Sequence, residues 1–158
     1  MTTSFRDALH RAFPEYPVPA GIFTIRAGPD SDRDDILQLA GTVWSHVSAT
    51  TWRQYPASVF ALNSKGFHYY LPGILLDSVD DRLGSLRAAL IGMFDTSGFP
   101  AIFPSNLGAL AGLLNVPQAE CLMSWARIAT ADRWFEDEVQ RERVTYTILL
   151  LIEAAAAR

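Results

Sequence analysis

The chain has 158 residues, 49% hydrophobic and 19% charged, with a net charge of −4 and a single cysteine. That balance fits one globular domain burying roughly 70% of the surface its unfolded chain exposes, and it excludes a disordered, collagenous or disulfide-stapled chain. With 17 acidic against 13 basic residues and Lys65 the only lysine, there is no basic sheath for tracking phosphates, so no nucleic-acid partner is expected. Phe5, Ala8, Leu9, Ala12 and Phe13 follow the i, i+3, i+4, i+7 rhythm of a first helix, capped by Ser4 and stopped by Pro14. After the turn-rich 14–19 stretch, Ile22 to Ile25 reads as loop or an isolated strand. Capping carboxylates at Asp30, Asp32, Asp34 and Asp35 then precede Ile36, Leu39, Ala40, Val43, Trp44 and Val47, predicting a second helix over that set.

Trp52 to Tyr55 and Ala57 to Leu62 read as short helical turns, with Asn63 or Ser64 capping the apolar segment Gly66 to Leu76. Pro72 removes a backbone donor there and presses on the carbonyl of His68, so a kink or a break is expected. Asp80 and Asp81 cap a helix over Arg82 to Phe94, with Leu83, Leu86, Leu90 and Phe94 along one stripe. Thr96 to Asn106 is a Pro-rich and unusually apolar loop. Leu107 to Leu114 forms a short helix, and Pro117 opens another through Leu122, Trp125, Ala126 and Ala129. Asp132 starts a final helix of up to ~25 residues, long enough to span a domain of this size. From Val144 to Ile152 it is apolar almost all round, which places it centrally or against a second chain; a strand over Val144 to Ile148 is the weaker alternative. The expected fold is therefore all-α, a single compact multi-helix domain over 1–158, with a Pro-kinked central segment and a long C-terminal helix.

Met1 to Arg11 holds no apolar run of the kind a signal peptide needs, and the longest aliphatic block, Ile148 to Ile152, falls short of the ~20 residues a membrane-spanning helix requires. No membrane association is expected. A lone Cys121 suits a reducing cytoplasm.

Residues that carry chemistry are sparse. His10, His46 and His68 are far apart and match no metal-ligand spacing, so neither a metal nor another cofactor is expected. Cys121 could pair with His68 or His46 as nucleophile and base, but its helical neighbourhood favours a small buried residue. No glycine-rich phosphate loop or GxSxG elbow occurs, and no catalytic residue is assigned. The carboxylates of Asp77, Asp80 and Asp81, and of Glu136, Asp137 and Glu138, fall at expected helix starts, where capping explains them. Trp44, Trp52, Phe67, Tyr69 and Tyr70 read as core. Phe99, Ile102 and Phe103 either plug the core or stand as anchors for a partner.

Trp44 followed by Gly66-Phe-His-Tyr-Tyr-Leu-Pro-Gly-Ile-Leu-Leu76 resembles the signature of a family of small uncharacterised bacterial proteins. In that family an Ile/Leu-rich helix with a Trp precedes a Phe-x-Tyr-Tyr-Leu-Pro-Ala segment, and a helical C-terminal region follows. The likeness spans about Asp34 to Asp81. Gly73 stands where Ala is usual, and the stretch around Phe99 to Asn115 has no counterpart. These proteins carry no assigned enzyme activity and resemble the immunity proteins that accompany secreted antibacterial toxins, so the resemblance implies a bacterial cytoplasmic protein that binds a cognate toxin. Asp30, Asp32, Asp34 and Asp35, the Phe99, Ile102 and Phe103 loop, and Glu136, Asp137 and Glu138 are the expected partner-binding residues, since an acidic surface suits a toxin with a basic cleft. The rival expectations are a homo-oligomeric adaptor that dimerises through the C-terminal helix, and a small hydrolase-type enzyme built on His68 with Cys121 or an acidic partner.

Overall fold

The structure is a computed structural model that describes residues 3–24, 31–48, 50–95 and 104–158. It is all-α, as the periodicity predicts. Among the described residues the only strand-like feature is one antiparallel bridge between Phe23 and Leu62, so the Ile22 to Ile25 stretch, expected as loop or an isolated strand, finds a partner at Phe23. Contacts gather in two compact units, one over Phe13–Ala89 and one combining Met1–Ala12 with Leu90–Arg158.

The Phe13–Ala89 unit is organised by a helix over Ser64–Val79, preceded by two single-turn helices, α2 (Ser31–Asp34) and α3 (Thr51–Gln54); we call the long one α4 and the N-terminal helix Thr3–Ala12 α1. Asn63 caps α4, its side-chain oxygen accepting from Gly66 N at 2.9 Å. Every residue from Tyr70 to Val79 except Gly73 is buried. That burial outweighs the one donor missing at Pro72, so α4 runs through the proline without the break that was one expectation. A Cβ at Gly66 would overlap the Ile22 carbonyl oxygen, the same oxygen that accepts from Asn63 N at 2.9 Å. Gly66 is what lets the chain cross so near the start of α4.

The helix expected over Ile36 to Val47 does not form. Two 3₁₀ turns, Leu37–Leu39 and Trp44–His46, stand in its place, separated by Gly41 at φ +84°. Ile36, Leu39 and Trp44 are buried as that pattern required, but Ala40 is exposed and Val43 and Val47 only half-buried. A left-handed glycine in mid-pattern breaks the ladder, and anchoring three apolar residues needs no continuous helix. The short pieces at Thr51–Gln54 and Pro56–Ala61 form as expected.

The following helix, α5 (Ser85–Phe94), begins three residues later than the sequence suggests. Gly84 at φ +79° turns the chain, and Leu83, expected on the buried stripe, is 91% exposed. Asp81 still caps it, with Oδ2 accepting from Leu86 N at 2.8 Å and Arg87 N at 3.2 Å. Arg87 in turn donates to the Ser78 and Val79 carbonyls at 2.8 and 2.7 Å, closing the C-terminus of α4.

The other unit contains α1, the end of α5 from Leu90, and three further helices, α6 (Pro104–Leu113), α7 (Val116–Ala131) and α8 (Glu138–Ala156). α1 takes in Ser4, expected to precede it, and buries Phe5, Leu9 and Ala12. Asn115 and Gln118 form a reciprocal capping box at the start of α7, and Gln118 also donates to the Ala12 carbonyl at 3.1 Å, tying α1 to α7. The core of this unit joins Leu9, Leu122, Trp125, Ala129, Val144, Ile148 and Leu151, with the Trp125 ring 6.0 Å from both Phe94 and Trp134.

α8 has 19 residues and starts at Glu138, not at Asp132. Asp132 is the C-cap of α7: Arg133 N donates to Thr130 O at 3.2 Å and Trp134 N to Ala129 O at 2.9 Å, with Arg133 left-handed at φ 56°. That pair of bonds is the 5→2 and 6→1 pattern that ends helices. α8 is also not buried all round, because Tyr146, Leu149 and Leu150 face solvent. No helix among the described residues is long and apolar enough to cross a membrane. Most of the Thr96 to Asn106 loop, including Phe99, Ile102 and Phe103, lies outside the described residues.

Candidate partner-binding surfaces

In the aromatic segment of α4, Phe67 and Tyr70 are interior, while Tyr69, expected in the core, is half-buried. Tyr70 is fully buried, its hydroxyl placed to donate to the carbonyls of Leu39 at 2.7 Å and Thr42 at 2.9 Å, and its ring lies 5.7 Å from Trp52. These are carbonyls that the missing Ile36–Val47 helix would have satisfied internally, so the tyrosine replaces part of that ladder. Burial pushes the Tyr70 hydroxyl up to about 12, which keeps it neutral. Tyr69 donates to the Tyr16 carbonyl at 2.7 Å, and its pKa is also raised, first by burial. Half-buried His68 packs its ring 6.0 Å from Phe13.

Two titratable groups are held off their ordinary values. Cys121 is buried, and desolvation first, then the charge of Glu120, pushes its thiol up to about 11. A thiol at that value is protonated at neutral pH and lacks the depressed pKa of an activated nucleophile. It lines a small cleft of about 400 Å³ with Arg11, Pro117, Glu120 and Ser124. Asp77, on α4, is 5% exposed, and its Oδ2 accepts from Trp52 N at 3.2 Å. It therefore caps the first turn of α3 from a distant helix, where Thr50 makes no side-chain cap of its own. Burial dominates and raises Asp77 to about 7; Asp80 adds to the rise, while the Trp52 N–H and Arg53 oppose it. Asp77, Asp80 and Asp81 thus divide into a buried cap, an exposed helix end and a second buried cap. Among the described residues no group of three or more His, Cys, Asp or Glu side chains is placed to hold a metal.

The two acidic clusters separate under the geometry. Asp137 caps α8, accepting from Gln140 N at 2.7 Å, Glu138 pairs with Arg141, and Glu136 N donates to Gln140 Oε1 at 2.9 Å. Of that cluster, Asp137 starts a helix as capping predicted, Glu138 is in an ion pair, and Glu136 is held through its backbone N–H. In the other cluster Asp30 lies outside the described residues, as does the side chain of Asp32. Asp34 ends the single turn α2, with an exposed contact to Arg33 at 3.3 Å. Capping does not explain Asp34 and Asp35, because the helix expected after them is absent and the Ile36 turn carries no side-chain cap. Asp35 is exposed with no bond to its carboxylate among the described residues, and Leu37 beside it is 48% exposed.

The sequence reading missed a groove between α7 and α8. It is open, encloses about 610 Å³, and is lined chiefly by Met123, Ala126, Thr130, Tyr146 and Leu149, with Arg127 on one wall and Glu142 on the other. The signal available was the apolar surplus of Val144 to Ile152, more than one buried stripe needs.

Comparisons of the chain with protein-family models, with curated proteins and with solved structures find no match.

Proposed function

We propose that this is a non-catalytic binding protein, an immunity protein that neutralises a cognate antibacterial toxin in the cytoplasm by direct contact. The carrying observation is that Asp34 and Asp35 are exposed carboxylates beside an exposed Leu37, without the capping role that accounts for Asp137. Exposed acidic groups without a capping role beside an apolar anchor suit a basic protein cleft, where opposite charge speeds encounter and a buried side chain holds the complex. The Asp34 to Asp81 likeness supports the same reading, and so does an aromatic segment spent on packing. The test is co-expression with the product of a toxin-like reading frame next to the gene. Co-purification and protection of growing cells are expected, with Asp34→Lys/Asp35→Lys slowing association ~10-fold at low salt and less at high salt. Failure of the wild type to bind or protect removes the reading; binding with an unchanged on-rate moves the contact away from this surface.

A further inference from the structure

We infer that the α7–α8 groove is the docking face for a second copy of this chain, arranged as a two-fold dimer. This does not depend on the immunity reading. α7 and α8 touch along their lengths and are joined by the short 132–137 connection, so they run antiparallel. Arg127 stands four residues before the end of α7 and Glu142 four residues after the start of α8, which places them at the same height on opposite walls. Neither is ion-paired among the described residues. By contrast, Arg141 already has Glu138, and Arg143 holds Asp95 through two bonds at 2.8 and 3.0 Å.

A two-fold axis laid along the groove sets α7 of one copy over α8 of the other without changing height. Each Arg127 then meets the other copy's Glu142, giving two equivalent ion pairs, while Tyr146 and Leu149 of each copy enter the opposite groove. Tyr146 is 63% and Leu149 45% exposed, so both have apolar area to bury. An isologous contact needs one patch that complements itself. Opposite charges facing each other across an apolar trough meet that need, whereas a rim of one sign would repel its copy.

Light scattering and sedimentation equilibrium on the full chain, from ~1 to ~100 μM, decide the matter. The expected mass rises with concentration from 17.5 kDa towards twice that value. Arg127→Glu and Glu142→Arg should each raise the dimer Kd ~10-fold or more by placing like charges together, and the double exchange should restore it. Leu149→Glu should give a folded monomer by far-UV circular dichroism; if that variant does not fold, the exposed charge pair still decides. A wild type that remains at 17.5 kDa across the range overturns the proposal. So does a dimer whose Kd is unchanged by Arg127→Glu, or a double exchange no tighter than the single ones.

Discussion

Asp77→Asn offers the sharpest test of how the Phe13–Ala89 unit is held. In the native protein Asp77 titrates at about 7, against an ordinary 3.8, because it is buried beside Asp80 with only the Trp52 N–H and Arg53 to offset the loss of water. The folded state therefore binds the proton more tightly than the unfolded chain. Stability is highest with the carboxyl protonated and falls as pH rises from 3.8 to about 7, then levels off. Three pH units at about 1.4 kcal/mol each give an upper bound of about 4 kcal/mol, and partial relaxation of the site brings the expectation to ~2–4 kcal/mol. Asparagine keeps a carbonyl oxygen for Trp52 N and carries no charge to desolvate. Its extra N–H group adds a cost that does not depend on pH, so the informative quantity is how the difference between variant and wild type changes. Urea unfolding at a series of pH values should show the variant gaining on the wild type by roughly 2 kcal/mol between pH 5 and pH 8. A difference that stays flat over that range would refute the reasoning, and a variant that loses ground towards pH 8 would show that Asp77 is held as a stabilised carboxylate.

Three backbone substitutions test the packing. A Cβ at Gly73 would sit 3.6 Å from the Trp44 carbonyl oxygen and Trp52 Nε1, ordinary contact distances, so Gly73→Ala should stabilise the chain by ~0.5–1 kcal/mol in the same urea experiment. Gly66→Ala should do the opposite, costing ~2 kcal/mol or more, because the new methyl overlaps the Ile22 carbonyl and forces apart the pairing that starts α4. Arg133→Gly should raise the midpoint of thermal unfolding, since a non-glycine residue at φ 56° carries ~1 kcal/mol of strain that glycine does not. A lowered midpoint would mean that the Arg133 side chain contributes more than its backbone costs.

Local chemistry with one reading was legible from the sequence, and local chemistry with two readings was not. Pro117 marks a helix start because it follows a turn and precedes an apolar run, and the structure places it there; of the two expected caps Asn63 and Ser64, the structure uses Asn63. Asp132 satisfies the same rule and yet ends α7, because what decides it is Trp134 folding back to 6.0 Å from Trp125, a contact no local rule contains. Ile36, Leu39 and Trp44 were correctly read as core, but Ala40, Val43 and Val47 of the same set are not buried, because a period of 3.6 holds only while the helix is continuous; Gly41 breaks it and Tyr70 bonds the Leu39 and Thr42 carbonyls. The same gap hid the candidate surfaces. Asp34 and Asp35 lack a capping role because the helix they were expected to cap is absent, and that absence goes with a glycine and a tyrosine 29 positions apart in the chain, 41 and 70. The α7–α8 groove likewise arises from two helices whose order, but not whose facing walls, is written locally. Arg127 and Glu142 are unremarkable in sequence, and they become a complementary pair only once an antiparallel turn brings them to one height.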